Sequence, residues 1–270
     1  MKIKYSIIVV CFNAGSKLLL TVNSILAQTY EEYEIIIKDG LSTDHALDTL
    51  PKDDRIKIAS CKDTGIYDAM NQAVKLAAGD YFLFLNCGDT FHTGDVLTQT
   101  TAIIEQQPSA QHLIYYGDTY NETTQALVSQ PQQLTPFTCY RHIPCHQACF
   151  YAASLFAIRQ YDLRYQIRAD YEHFLHSYYR CHADPAYLHL TVADYEGGGF
   201  SEAPANLHLD QQEHRMITAQ YMSRKAIFLY RLILLLTLRP LRTYLSHNTR
   251  FAATYNCLKN RCYHMMKHHS

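Results

Sequence analysis

The chain has no Gly-x-Gly-x-x-Gly run after its first apolar segment and no Gly-x4-Gly-Lys-Ser/Thr run anywhere. The first absence argues against a dinucleotide-binding Rossmann unit and the second against a P-loop. A diphosphate would be held through a metal ion rather than through a glycine-rich helix start. A Cys-x2-Cys pair is also missing. The nine cysteines lack the spacing of a disulfide framework and read as reduced thiols. Cys139, Cys145, His146 and Cys149 cluster loosely, a weak basis for zinc. No secretory signal is recognisable: Met1-Lys2-Ile3-Lys4-Tyr5 leads into a short strand, with no small-residue cleavage site after it. The expected location is cytoplasmic.

Acidic residues are absent from 215–270, which holds ten Lys/Arg. Subtracting those from the totals of 24 basic and 25 acidic residues leaves 14 basic and 25 acidic residues in 1–214, a net of -11. An acidic body does not suit nucleic acid. The basic tail calls for an acidic partner, first of all an anionic membrane surface. With 270 residues, 48% hydrophobic and 18% charged, the chain is globular and long enough for one large domain.

The elements alternate. Tyr5-Ser-Ile-Ile-Val-Val-Cys11 reads as a buried parallel-type strand, followed by a turn at Phe12 to Ser16 and a helix over Leu18 to Gln28. Tyr33 to Asp39 and Arg55 to Ser60 are further strands, with a short helix over Asp44 to Leu50 between them. A helix over Tyr67 to Ala78 stops at Gly79, and Tyr81 to Leu85 is the central strand. This predicts an α/β fold, a mostly parallel sheet with helices on both faces.

Each of the four strands ends in polar residues: Asn13, Asp39, Asp63, then Asn86 and Asp89. In a parallel sheet the carboxyl ends lie on one edge, where ligands bind. A single Asp there is turn chemistry. Three carboxylates on one rim repel unless a cation or donors compensate, and oxygen ligands suit Mg²⁺ or Mn²⁺.

Five segments in this order resemble the nucleotide-binding half of family-2 glycosyltransferases with the GT-A fold. They are Ser6-Ile-Ile-Val-Val-Cys-Phe-Asn13, Ser24-Ile-Leu-Ala-Gln-Thr-Tyr30, Asp39-Gly-Leu-Ser-Thr-Asp44, Gly65-Ile-Tyr-Asp-Ala-Met-Asn71 and Leu85-Asn-Cys-Gly-Asp89. The last two are most similar to the bacterial branch that builds extracellular polysaccharide, including the colanic-acid type. The resemblance implies that Cys11 to Asn13 touch base and ribose, and that Asp39 accepts from the uracil imide. It implies that Asp63 and Asp68 lie near nucleoside or sugar, and that Asp89 holds Mn²⁺ or Mg²⁺ on the diphosphate. The usual Asp-x-Asp is reduced here to Asn86-Cys-Gly-Asp89, with one carboxylate.

Beyond the central strand, Thr93 to Gln107 reads as a helix, His112 to Asp118 and Ala126 to Ser129 as strands, and Pro131 to Pro144 as loop-rich. His146-Gln147 is similar to a pair that the same branch places near sugar or acceptor; the alternative is a histidine bonded to backbone before a buried strand. A helix starts at Arg168-Ala-Asp170-Tyr-Glu172 and runs to about Cys181. Asp170 matches the family's catalytic base, with Glu172 in reserve; a helix N-cap is the plain alternative. Tyr187 to Tyr195 is a strand, and Gly197-Gly-Gly-Phe-Ser201 is either a linker or a loop covering the donor.

Leu207 to about Leu238 reads as one helix, with its apolar run of 13 residues at Ala226 to Leu238. That run spans about 20 Å, too short for a bilayer. It packs on the body, forms a dimer contact or lies in the membrane interface. Phe251, Tyr255, Tyr263 and Met265 are candidate insertion residues, and His264, His268 and His269 would add charge below about pH 6.5.

The expectation is therefore a GT-A domain over 1–205, with a nucleotide half (1–95) and an acceptor half (96–205). A basic helical region (206–270) would meet the inner face of the cell membrane. The implied reaction is inverting, metal-dependent transfer from a nucleotide-sugar, a UDP-sugar by preference, to a lipid-linked saccharide. A homodimer stays open, as do a non-catalytic partner in polysaccharide assembly and a nucleotidyltransferase. The last lacks a Gly-rich basic triphosphate loop after its first strand.

Overall fold

The computed structural model describes residues 2–106, 113–197 and 204–237. They fall into two compact units, the first ending at Tyr221 and the second starting at Met222.

In the first unit, strands β1 (Tyr5–Cys11), β2 (Tyr33–Asp39), β3 (Ile56–Ser60) and β4 (Tyr81–Phe84) pair in parallel, in the order β3-β2-β1-β4. Every residue of β1 and β2 is buried, which explains their apolar runs at 7–10 and 35–37. Helices α1 (Ser16–Leu26) and α2 (Ile66–Val74) provide the crossovers. The short helix expected at 44–50 is a single 3-10 turn, Ala46–Thr49. Gly79 ends the connection into β4 because a Cβ there would come within 2.6 Å of the Ser6 backbone nitrogen.

Past β4 the sheet changes direction. It continues through β8 (Cys149–Ala152), β6 (Ile114–Asn121), β9 (Pro185–Tyr195) and β5 (Thr90–Phe91), while β7 (Ala126–Val128) pairs with β6. Only β6–β9 is parallel here; β4–β8, β6–β8, β6–β7 and β5–β9 are antiparallel. The parallel expectation thus holds for the first half of the sheet. Helices α3 (Val96–Gln106), α5 (Ala153–Ile158), α6 (Ala169–Tyr179) and α7 (Leu207–Tyr221) complete this unit with α4 (Pro136–Arg141). Helix α4 lies inside the stretch read as loop. Thr135 caps it and Pro136 suits its first turn, while six residues are too few to show periodicity.

The single C-terminal helix expected from Leu207 is broken. It stops at Tyr221, and Ser223 Oγ accepts the Ala226 N–H to start α8 (Arg224–Leu236) in the second unit. Capping starts a new helix where apolar periodicity alone shows no gap. No helix of the described residues is long and apolar enough to cross a membrane. The residues proposed for insertion at 251–265, the histidines at 264, 268 and 269, and the glycine loop after Gly197 lie outside the described residues.

Candidate active site

Strands β1 and β2 pair with Cys11 opposite Asp39, so their ends meet. Asp39 is 1% exposed. It accepts from Leu41 N at 3.1 Å, Ser42 N at 3.1 Å, Ser60 Oγ at 2.6 Å and Cys11 Sγ at 3.6 Å. Burial pushes its carboxyl up, but the Ser42 and Ser60 donors outweigh burial and hold it below the usual range. Asn13 takes a left-handed φ of 48°. Its N–H donates to Ser42 Oγ at 2.8 Å and its Oδ1 accepts from Thr43 N at 2.9 Å, tying the two loops together. Phe12 is 68% exposed beside them. A Cβ on Gly40 would stand 3.2 Å from its ring, so Phe12 lies close against the residue that follows β2. An exposed ring next to a carboxylate suits a nucleobase, which stacks and donates.

Lys38 is fully buried. Its Nζ donates to the carbonyls of Asp39 (2.9 Å) and Cys61 (2.7 Å) and to Asp63 Oδ2 (2.9 Å). A protein cation therefore offsets the crowding of Asp39 and Asp63 that the sequence alone assigned to a metal. Asp68 opens α2 and accepts from Thr64 N at 2.8 Å, Thr64 Oγ1 at 3.0 Å and Gln72 Nε2 at 3.2 Å. Burial raises its carboxyl and the Thr64 and Gln72 donors more than reverse that. Asp63 and Asp68 both shape the loop before α2.

The loop after β4 is anchored from α1. Thr21 Oγ1 accepts from Gly88 N at 2.9 Å and donates to the Asp89 carbonyl at 2.8 Å. Gly88 has φ 100°, a left-handed conformation that favours glycine. Asp89 is 8% exposed, and its Oδ2 accepts one side-chain bond, from Gln147 Nε2 at 3.1 Å. Burial raises its carboxyl to about 6, with the Gln147 bond and His146 pulling weakly the other way. Buried Glu34 shows the contrast. Burial acts on it too, but Lys57, Ser6 and Ala78 N–H together bring it down to about 2. Glu34 is satisfied by the protein; Asp89 is not.

Asp170 sits in the first turn of α6, its side chain 21% exposed. Oδ1 accepts from Tyr67 OH at 2.9 Å and Tyr171 N at 2.8 Å. Oδ2 lies 3.4 Å from His146 Nδ1. Burial raises this carboxyl, and His146, Tyr171 N–H and Tyr67 together bring it below its ordinary value. Asp170 is thus ionised at neutral pH. The other imidazole nitrogen, His146 Nε2, is 3.0 Å from Asn86 Nδ2. The structure thereby brings Asn86, Asp89, His146, Gln147 and Asp170 into one connected set, and Cys11, Asn13, Asp39, Asp63 and Asp68 into a second along the same sheet edge.

Glu172 belongs to neither set. Two residues along a helix do not face the same way. Glu172 is 0% exposed and its Oε1 meets Arg159 Nη2 at 3.0 Å and the Tyr221 hydroxyl. Burial raises its carboxyl, with Tyr221 and Arg159 opposing.

The profile of glycosyl transferase family 2 matches residues 6–165. This chain belongs to that family. A PGL/p-HBAD biosynthesis glycosyltransferase of Mycobacterium bovis (strain BCG / Pasteur 1173P2) is 37% identical over 209 residues, 73% of this chain and 78% of that one. The Escherichia coli UDP-Glc:alpha-D-GlcNAc-diphosphoundecaprenol beta-1,3-glucosyltransferase WfaP is 40% identical over 99 residues, 35% of this chain and 39% of that one. The S. aureus TarS 1-349 structure in complex with UDP-GlcNAc covers 83% of this chain and 68% of its own, with TM-score 0.64 and 18% identity. The mannosyltransferase PcManGT from Pyrobaculum calidifontis, in complex with GDP-Man and Mn2+, covers 96% and 87%, with TM-score 0.57 and 14% identity. The fold is the GT-A glycosyltransferase fold.

The glycosyltransferase carries no group of three or more His, Cys, Asp or Glu able to hold a metal among its described residues. Its oxygen atoms fit one nevertheless. Asn86 Oδ1 is buried without a hydrogen-bond partner, three residues before the poorly satisfied Asp89. One amide and one carboxylate oxygen are a sparse ligand set, which diphosphate oxygens would have to complete around Mg²⁺ or Mn²⁺.

Other site residues carry no motif of their own. Tyr67 lies inside the Gly65–Asn71 segment, yet its reach to Asp170 spans 103 positions. Glu213 in α7 is 3% exposed and accepts from Gln166 N (2.7 Å), Ile167 N (3.0 Å) and Arg168 N (2.8 Å), fixing the entry to α6. Arg168 Nε also pairs with Asp210 Oδ1 at 2.7 Å. A lone Glu or Asp in a polar helix gives no sequence signal of such work.

Proposed function

We propose that this glycosyltransferase moves a sugar from a UDP-sugar to a hydroxyl of a lipid-linked saccharide, with inversion, in bacterial surface glycan or glycolipid synthesis. The observation that carries the reading is Asp170: an ionised, partly exposed carboxylate held by three donors and joined through His146 to the loop of Asp89. Phe12 and Asp39 would take the base, with Cys11 and Asn13 shaping the loop around it. Asp63 and Asp68 hold the neighbouring loop against the ribose or sugar. A divalent cation bound by Asp89 and Asn86 would supply charge neutralisation to the departing diphosphate.

The acceptor oxygen attacks the anomeric carbon while the bond to the diphosphate breaks, its electron pair leaving with UDP. Asp170 takes the acceptor's hydroxyl proton as the new bond forms. His146 and Gln147 stand where sugar and acceptor meet. Attack on the face opposite the leaving group inverts the anomeric centre.

UDP is favoured because TarS carries UDP-GlcNAc and WfaP is named for UDP-Glc, whereas PcManGT carries GDP-Man. The name of WfaP also specifies a diphosphoundecaprenol acceptor, which supports a lipid-linked one here. Residues 1–95 would form the nucleotide half and 96–205 the acceptor half. The acid-free segment 215–270, with the apolar residues of α8, would bring the enzyme to the inner membrane face.

A thermal-shift series with UDP, dTDP, GDP and CMP, each with Mn²⁺ or EDTA, tests the donor half of this reading. A Mn²⁺-dependent rise with UDP alone is expected, equivalent to about 2.7 kcal/mol at a hundredfold excess over Kd. No shift with any nucleotide would favour a non-catalytic partner in polysaccharide assembly.

A further inference from the structure

We propose that Lys17 is a donor-binding residue, whose ammonium contacts the diphosphate of a nucleoside-diphosphate sugar beside Asp89. The inference rests on the reading that brings the diphosphate to that loop. Lys17 stands in the first turn of α1, one turn before Thr21, whose hydroxyl anchors Gly88 and Asp89. Its stem lies over Gly88. A Cβ on that glycine would stand 3.3 Å from Lys17 Cδ, 3.8 Å from Cγ and 3.9 Å from Cβ. The loop has no side chain at this position, and the lysine stem covers it. A stem packed on its neighbours with the charged head in water is the ordinary habit of lysine.

The head group pairs with Glu196, the residue after β9. That contact, and beyond it the charge of Asp89, holds the ammonium above its ordinary pKa, so Asp89 lies within electrostatic reach. Glu122 adds a little to the rise that burial gives the Asp89 carboxyl. A diphosphate arriving among Asp89, Glu122 and Glu196 therefore needs a cationic side chain beside any metal ion. The Asn86-Cys-Gly-Asp89 loop contains none. Buried Lys38 is occupied by Asp39, Cys61 and Asp63, and Arg168 by Asp210. Lys17 is held more loosely. Its side chain is 52% exposed and that of Glu196 59%, and an ion pair so open to water is easily exchanged. A flexible stem carrying a point charge suits a phosphate oxygen, which would take the place of the Glu196 carboxylate.

Lys17→Arg, Lys17→Met and Lys17→Glu form a charge series at an exposed position, where folding should be little affected. Isothermal titration of the full chain with UDP and Mn²⁺ reads each as a change in Kd. Met should weaken UDP about 10-fold, the loss of one charge-assisted contact. Arg should stay within about threefold of the unaltered chain, because it keeps the cation. Glu should bind more weakly than Met. Higher salt should narrow the gap between Lys and Met, since the contact is open to solvent. Glu196→Gln, which releases the ammonium, should bind UDP at least as tightly as the unaltered chain.

Met binding UDP as tightly as the unaltered chain, or Arg falling as far as Met, would overturn the proposal. Weaker binding by Glu196→Gln would overturn the exchange of Glu196 for phosphate. Failure of the unaltered chain to bind UDP would remove the donor reading itself, whereas UDP binding indifferent to Lys17 removes this proposal alone.

Discussion

Tyr67, in the first turn of α2, donates its hydroxyl to Asp170 Oδ1 at 2.9 Å. The same hydroxyl lies 2.7 Å from the Ile167 carbonyl. A residue of α2 thus helps to hold the carboxylate proposed as the base. Tyr67→Phe keeps the ring against Tyr161, at 5.3 Å between centroids, and removes only the donor. Its expected effect is a drop of about 10-fold in kcat with unchanged UDP binding, because one of several donors to a base is lost. Steady-state kinetics beside a UDP titration check this.

Glu213 serves the same helix from below in the chain. Three backbone N–H groups converge on its carboxylate, and a glutamine there retains a single acceptor oxygen. Glu213→Gln should cost about 2 kcal/mol, since a buried donor left unpaired costs roughly 1–3 kcal/mol. For a domain of this size that lowers Tm by about 4–8 °C. Turnover should fall as well, while Asp210→Asn, at the more exposed pair with Arg168, should have the smaller effect on Tm.

Asp89 yields a pH prediction of definite sign. Its folded pKa is raised by burial from the ordinary 3.8 to about 6. Between those values the native state holds the extra proton, so the Asp89 contribution to stability falls as pH rises through the window and levels off above it. Ionisation of Asp89 then costs the native state about 3 kcal/mol at pH 7. Asp89→Asn should raise Tm at pH 7, with the gain shrinking toward pH 5, and should abolish any Mn²⁺-dependent shift with UDP. Thermal melts of both proteins from pH 5 to 8 provide the comparison.

Strands β1, β2 and β4 were readable because each is largely buried and carries an apolar run ending in a polar turn, whereas β3, at the sheet edge, is half-exposed. Cys11, Asp39 and Asp89 fall at those ends as expected. What lay beyond reading was the use of each carboxylate. Asp63 and Asp89 look alike in the sequence, yet buried Lys38 pairs with the first and leaves the second poorly satisfied. The alternation that identifies Lys38 as buried is invisible in a strand with no exposed face. Glu172, held in reserve as the base on the resemblance of its segment, is turned by helical geometry into the core toward Arg159. The roles of Tyr67, His146 and Glu213 depend on contacts between distant segments, which no local pattern encodes.

Asp170→Asn tests the central claim most directly. The amide keeps the size of the side chain but cannot take a proton from an acceptor hydroxyl. Sugar transfer should fall by about 100- to 10,000-fold, with UDP binding and Tm close to those of the unaltered protein. Near-normal transfer by this variant would contradict the account, whereas loss of transfer with donor binding intact is the predicted result.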